Sequence, residues 1–354
     1  MKAWKLYGTG DLRYEDCGTP LPGEGEVLLK VKAAGICGSD VPRVFDTGAH
    51  RHPLVIGHEF SGTVETVGFG VNGSWICRRV GVYPLIPCGK CAPCLGGLYE
   101  MCRCYDYLGS RRNGGFAEYV SVPAANLIEI PENVSYEEAA MMEPMAVAVH
   151  AVRRATKEFT IPGSASVAVG GLGTIGLLVV GFLMEAGYRN IYVIGNKEFQ
   201  RKHAMSMGIP LEHYCDGGKE DGGAWLREGT GGVDVFFECT GKNEVLDWGI
   251  DSMKPAGRIV LVGNPHSDMT LAKNIYWKIL RNQLEVTGTW NSSFTGAAAD
   301  DWHYVMNRLE TQGIAPVELI THRLSLGGLR EGLEIMREKK EYCKIILFPE
   351  MEDA

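Results

Sequence analysis

The chemistry of this chain starts with its cysteines. Of the eleven in 354 residues, four stand together: Cys88, Cys91, Cys94 and Cys102, spaced C-x2-C-x2-C-x7-C. Four thiolates this close in sequence can converge on one tetrahedral zinc, and four protein ligands close such a site to chemistry. An iron–sulfur cluster uses similar spacing, so spacing alone leaves both open. Cys104 lies two residues further on and reads as a bystander or an alternate ligand. Cys17, Cys77, Cys215, Cys239 and Cys343 are scattered and read as small buried hydrophobes.

A second group is spread along the chain. Cys37 sits in GICGSD, His58 in GHEFSG and Glu143 in MEP. A thiolate, an imidazole and a carboxylate from three segments suit a catalytic zinc that keeps one open position. Glu59, next to His58, is a further ligand candidate. The third group is a glycine turn. Residues 167–176 read VAVGGLGTIG, so Gly171, Gly173 and Gly176 form G-x-G-x-x-G between an expected strand and an expected helix. In that context the first glycine permits the tight turn, the second lets a pyrophosphate approach, and the third packs helix against strand. The phosphates would meet the free N–H groups of the helix start, at Thr174 and Ile175. The next strand ends in Gly195, Asn196 and Lys197. A carboxylate there would accept from the ribose 2′-hydroxyl of NAD. Its absence, with Lys197 and the helper candidates Arg201 and Tyr214, makes NADP the expected cofactor over NAD.

The elements that must carry these groups fall into two patterns. Up to about residue 150, glycine and proline separate short β-prone runs, at 26–33, 59–67, 79–83 and 116–122, as in an all-β domain. From about Ser164 the pattern alternates. Strands are expected at 167–170, 191–195, 233–238, 258–263 and 284–289, with helices at 174–186, 197–207 and 243–253. That cadence means a doubly wound parallel sheet, and the fold class is α/β. Two more helices (299–312, 327–339) and a strand (343–348) follow. The 46 glycines serve turns and close approaches, since no collagen period is present. Apolar residues make up 45% and charged residues 22%, with a net charge of −8. This composition excludes a mainly disordered chain and disfavours nucleic acid as a partner. The longest apolar run, 175–184, is too short to span a membrane. The start lacks a secretory pattern, so the cytoplasm is expected.

Together these motifs resemble the zinc-dependent medium-chain alcohol and polyol dehydrogenases over nearly the whole chain. The resemblance rests on GICGSD, GHEFSG, the four-cysteine lobe, GGFAEY at 114–119, MEP and the glycine turn. The runs CGSDVPRVF, GAHRHP and YDYLGSRRNGGFAEY most resemble the galactitol-1-phosphate 5-dehydrogenase branch. The family implies a Rossmann doubly wound parallel sheet plus a GroES-like β-rich catalytic domain built from both chain ends, with the active site in the cleft between. The boundaries expected are 1–155 for the catalytic domain with its zinc lobe at about 88–104, 156–289 for the NAD(P)-binding domain, and 290–354 for the return. By motif, Cys37, His58 and Glu143 fall on catalytic zinc ligands, and Glu59 on a glutamate that binds the metal in some members. Cys88, Cys91, Cys94 and Cys102 fall on a structural zinc, which favours zinc over iron–sulfur. Ser39 falls on the hydroxyl that passes the substrate proton outward, and Asp40 on a brace for His58. Pro42 stands where many members have a relay histidine, so the relay beyond Ser39 is expected to use cofactor ribose and water.

The resemblance implies hydride transfer between a secondary alcohol and the nicotinamide, with zinc as Lewis acid on the alcohol oxygen. A polyol phosphate would need cations, for which Arg43, His50, Arg51, Arg111 and Arg112 are candidates, one or two of them facing the cleft. Trp290 and Asn291 line the cleft or pack a hinge. A homodimer or homotetramer through the 284–289 edge is expected. The reading of another class is a zinc-ribbon binding module with a nucleotide-sensing domain; the acidic charge and the lack of a basic stripe near 88–102 oppose it.

Overall fold

The computed structural model describes residues 1–156, 164–265 and 267–352. Two compact units emerge: Met1–Glu143 with Ser292–Ala354, and Pro144–Asn291. The first change-over comes after Glu143, ahead of residue 155. The helix Met142–Thr156 is one unbroken element, and from Pro144 it groups with the second unit.

The first unit is built around the strand Glu26–Gly35. One edge pairs antiparallel with Glu59–Val67 from Val27 to Gly35. The other edge is shared: Glu26 to Lys30 pair with Tyr119–Pro123, and Ala34 and Gly35 with Lys344–Phe348. The sheet runs Leu127–Glu129, Arg79–Val82, Glu59–Val67, Glu26–Gly35, Lys344–Phe348, Ile320–Ser325. The chain's last strand therefore lies beside the residues that lead into Cys37. Inward positions of these strands, such as Leu29, Val31, Phe60, Val80 and Ile345, are buried in one core with Leu6, Phe116 and Leu333. The period of two puts alternate residues on that face.

The second unit is a six-stranded sheet in which each neighbouring pair is parallel. Its order is Tyr214–Asp216, Ile191–Gly195, Val167–Gly170, Val233–Glu238, Met253–Leu261, Glu285–Gly288. Numbered within the unit this is 3-2-1-4-5-6, the order of a dinucleotide-binding sheet. Val167–Gly170 is central and fully buried, as strands covered by helices on both faces must be. The sequence reading missed four helices or strands here, Met142–Thr156, Tyr214–Asp216, Lys273–Arg281 and Gly222–Thr230, whose two leading glycines disguise it. Asp221 caps it by accepting from the Ala224 N–H at 2.8 Å. Among the described residues no helix is long and apolar enough to cross a membrane.

Candidate metal centres and cofactor loop

The cysteine lobe is a set of short turns carrying Cys88, Cys91, Cys94 and Cys102, whose sulfurs lie within 4.8 Å of one another. The separations are 3.4 Å for Cys91–Cys94, 3.8 Å for Cys91–Cys102 and 4.0 Å for Cys88–Cys94. Disulfides would be far shorter. Four sulfurs at ~2.3 Å from a tetrahedral zinc would lie roughly 3.8 Å apart, so the cluster fits that ion. Backbone N–H groups of Arg103 and Cys94 draw the Cys91 thiol down to about 6, favouring thiolate. Cys104 is exposed and outside the set. Of the five scattered cysteines, Cys215 and Cys343 are buried, but Cys77 is exposed and Cys17 and Cys239 are intermediate. Cys77 lies in the turn after Gly73–Trp75 at φ +67° with its side chain exposed, so it is a surface thiol and not the buried hydrophobe expected.

Cys37 and His58 stand at the ends of the two paired strands, where Gly35 lies opposite Glu59. The ligand atoms of Cys37, His58 and Glu59 lie within 4.8 Å of one another. Buried Asp40 organises them: its Oδ2 accepts from the Cys37 N–H at 3.0 Å, and its Oδ1 lies 3.7 Å from His58 Nδ1. That nitrogen is buried without a hydrogen bond. The Ser39 hydroxyl donates to Cys37 Sγ at 3.3 Å. Glu143 lies outside the three-residue set, with Oε1 accepting from the Tyr107 hydroxyl at 3.2 Å. Burial first, then Glu59, raises its carboxyl to about 7, while His58 opposes. Burial, then Glu59 and Asp40, pushes the Cys37 thiol up to about 12.

The sequence reading missed Lys344. It is buried on the last strand, donates to the Ile36 carbonyl at 3.1 Å and ion-pairs with Glu59 Oε2. Burial works against its charge, but Glu59 and Cys37 outweigh that and hold its pKa above the ordinary lysine value. Gly35 makes room for the pair, since a Cβ there would meet Glu59 Oε2 at 2.3 Å. A lysine opening the apolar run KIILF was the signal. Three acidic groups, Cys37, Glu59 and Glu143, thus face one lysine. The set is short of positive charge, which a divalent ion bound to a thiolate, an imidazole and a carboxylate would supply.

In the second unit Gly171 takes φ +97°, and a Cβ there would meet Thr240 Cγ2 at 2.3 Å. A Cβ at Gly176 would lie 1.9 Å from the Gly171 carbonyl oxygen, so helix and turn touch there. A Cβ at Gly173 would meet nothing within 4 Å. Packing inside the chain does not require that glycine, whereas a ligand approaching the backbone would. Gly173 caps the helix Thr174–Glu185 without a side-chain bond, and the positive end of a helix dipole favours an anion at such a start. Beyond Gly195 the Asn196 N–H donates to Gln200 Oε1 at 3.0 Å, and Lys197 Nζ lies over the Phe199 ring. Arg201 is held by Glu198 at 2.6 Å.

Of the substrate cations, Arg112 is held by Glu26 and lies 3.8 Å from Asp106. Arg43 donates to Asp40 Oδ1 at 2.5 Å. Arg43 and His50 line a cavity of about 290 Å³ that Ser39 also lines. Arg51 is exposed, and Trp290, past the edge strand, is 54% exposed.

Comparison with known proteins now decides the family. The family model "Alcohol dehydrogenase GroES-like domain" matches residues 23–132, and "Zinc-binding dehydrogenase" matches 174–311. The chain is 31% identical to galactitol 1-phosphate 5-dehydrogenase of Escherichia coli K12 over 327 residues, 92% of this chain and 93% of that one. The chain belongs to the zinc-binding alcohol dehydrogenases. It is an oxidoreductase acting on a CH–OH group with a nicotinamide dinucleotide. It is as similar, at 32%, to L-threonine 3-dehydrogenase of Escherichia coli K12, over 98% of this chain and 99% of that one. A zinc-binding dehydrogenase of Sinorhizobium meliloti 1021 bound to NADP superposes with a TM-score of 0.87 at 28% identity, covering 98% of this chain and 99% of that chain.

Proposed function

We propose that this dehydrogenase interconverts a secondary alcohol of a polyol or polyol phosphate and its ketone, as a galactitol-1-phosphate 5-dehydrogenase does. The observation that carries the reading is the convergence of Cys37, His58 and Glu59 within 4.8 Å in a buried, acid-rich recess. Cys37 and His58, with Glu59 or Glu143, hold the catalytic zinc, and the four-cysteine lobe holds a structural one. When bound, the catalytic zinc supplies Lewis acidity toward an alcohol oxygen. Ser39, beside the Cys37 sulfur, receives the alcohol proton and passes it outward. Asp40 fixes the Cys37 backbone and places its carboxylate beside the His58 ring. Gly171, Gly173, Thr174 and Ile175 hold the dinucleotide pyrophosphate, and Gly195, Asn196 and Lys197 hold its adenosine ribose. NADP is favoured over NAD, because no carboxylate closes the Ile191–Gly195 strand.

The enzyme works in the cytoplasm as a homodimer or homotetramer. In support, Glu285–Gly288 ends the sheet with its outer edge unpaired among the described residues. Val286 on it and Tyr276, Trp277 and Leu280 on the preceding helix are exposed, the kind of edge and patch that proteins usually cover.

A second reading, oxidation of the 3-hydroxyl of L-threonine, is favoured by the equal similarity to threonine dehydrogenase. One panel separates them: galactitol, galactitol 1-phosphate, other polyols and L-threonine, each with NAD and NADP, with and without chelator. The proposal requires turnover of a polyol or its phosphate that the chelator abolishes. Turnover of threonine alone would replace it with the second reading.

A further inference from the structure

The cavity beside the metal-ligand set has a chemical character of its own. It is lined by Ser39, Arg43, Thr47, Gly48, Ala49 and His50, two of them cationic or titratable to a cation and none a carboxylate. In a chain of net charge −8 such a wall is unusual. Its volume of about 290 Å³ is at the lower end of the roughly 300–1,000 Å³ typical of small-ligand sites. Arg43 is pinned to it: Nη1 donates to buried Asp40, while the rest of its fork has no acceptor among the described residues. Arg111, which does not itself line the cavity, adds a second guanidinium whose charge reaches His50. Its guanidinium lies over the Tyr105 ring at 4.7 Å, and its Nε is buried without a hydrogen-bond partner. Partial burial, then Arg111 and Arg43, lowers the pKa of His50, so both guanidinium charges act at its ring. One end of the cavity is fixed by Ser39, whose hydroxyl is 3.3 Å from Cys37 Sγ.

We infer that Arg43, Arg111 and His50 form an anion subsite that seats the charged group of the substrate, a phosphate monoester or a carboxylate, while its alcohol lies at Cys37 and His58. The inference rests on the dehydrogenase reading and narrows its substrates to anionic secondary alcohols. The arginine forks suit the oxygens of either group by paired N–H···O bonds. Both galactitol 1-phosphate and L-threonine carry such an anion, which neutral polyols lack. Arg112 is excluded from the subsite because Glu26 already holds it.

The test uses the full-length, zinc-loaded protein and inorganic phosphate as probe. Phosphate should bind the wild type saturably by calorimetry, and Arg43→Gln and Arg111→Gln should each weaken it on the order of tenfold. Arg43→Lys should fall between. Arg111→Gln leaves the Arg43–Asp40 pair intact, so it remains informative if Arg43→Gln disturbs the fold. In turnover, the KM for galactitol 1-phosphate should rise on the order of tenfold more than that for galactitol in Arg111→Gln; the same excess for L-threonine would assign the seat to a carboxylate. Phosphate that fails to bind, or binds both variants like the wild type, overturns the subsite even in an active enzyme. Arginine-dependent phosphate binding with no oxidation of a polyol or its phosphate would instead sink the polyol reading and keep the subsite.

Discussion

At the scale of single residues, the centre turns on how Glu59 divides itself between Lys344 and a metal. Both are nearly inaccessible, at 2% and 3% exposure, so neither charge can fall back on water. Removing one partner of a buried pair leaves the other uncompensated, at a cost of about 3–5 kcal/mol. Lys344→Met should therefore lower the melting temperature of the zinc-free protein sharply, while Lys344→Arg restores most of it. If Glu59 reaches the metal, the zinc-loaded variant should lose much less, because the ion takes over as counter-charge. Equal losses with and without zinc would leave Glu143 as the carboxylate ligand. Gly35→Ala attacks the same pair from the backbone side, since its Cβ would meet the Glu59 oxygen at 2.3 Å. Zinc content should fall toward one per chain, with the cysteine lobe still loaded, as elemental analysis would show.

At the scale of elements, the glycine turn and the strand that follows it set cofactor binding. Gly176→Ala drives a Cβ to 1.9 Å from a backbone oxygen, which the turn relieves only by moving. The expected result is about 1–3 kcal/mol of lost stability and weaker dinucleotide binding, read by denaturation and by quenching of protein fluorescence. Lys197→Ala should raise the KM for NADP on the order of tenfold and that for NAD little. If both move together, the lysine does not read the 2′-phosphate. These elements were legible because glycines between an apolar strand and an apolar helix leave few alternatives; Ile191–Gly195 and Val233–Glu238 were read to the residue. Elements hidden from the sequence have a common cause. Gly222–Thr230 opens on glycines that weaken helix propensity, and its helix is held by the Asp221 cap and by burial of Leu226. The strand Ile320–Ser325 alternates only weakly and is fixed by parallel pairing with Lys344–Phe348, a contact no local window contains. Lys344 escaped notice for the same reason, since its partner Glu59 lies 285 residues away.

At the scale of the molecule, the first unit draws on both chain ends, so its last strand is part of its core. Ile345, Ile346 and Leu347 are fully buried, and that strand pairs with both Gly35 and Ile320–Ser325. The sheet of the second unit ends in Tyr214–Asp216 on one side and Glu285–Gly288 on the other. Glu285–Gly288 offers a row of backbone groups with Val286 exposed, and Trp277, Tyr276 and Leu280 are exposed on the helix before it. An open apolar edge is an aggregation hazard unless something pairs with it, and a second copy of the same edge can do so by two-fold symmetry. Val286→Lys places like charges opposite or near one another in such a pair, at a position whose side chain is exposed in its own unit. The variant should keep its melting temperature and dinucleotide affinity, and light scattering should show its mass halved relative to the wild type. A wild type that already runs at 38.7 kDa would remove the edge as an interface. An unchanged oligomer in the variant would move the interface to another surface of the chain.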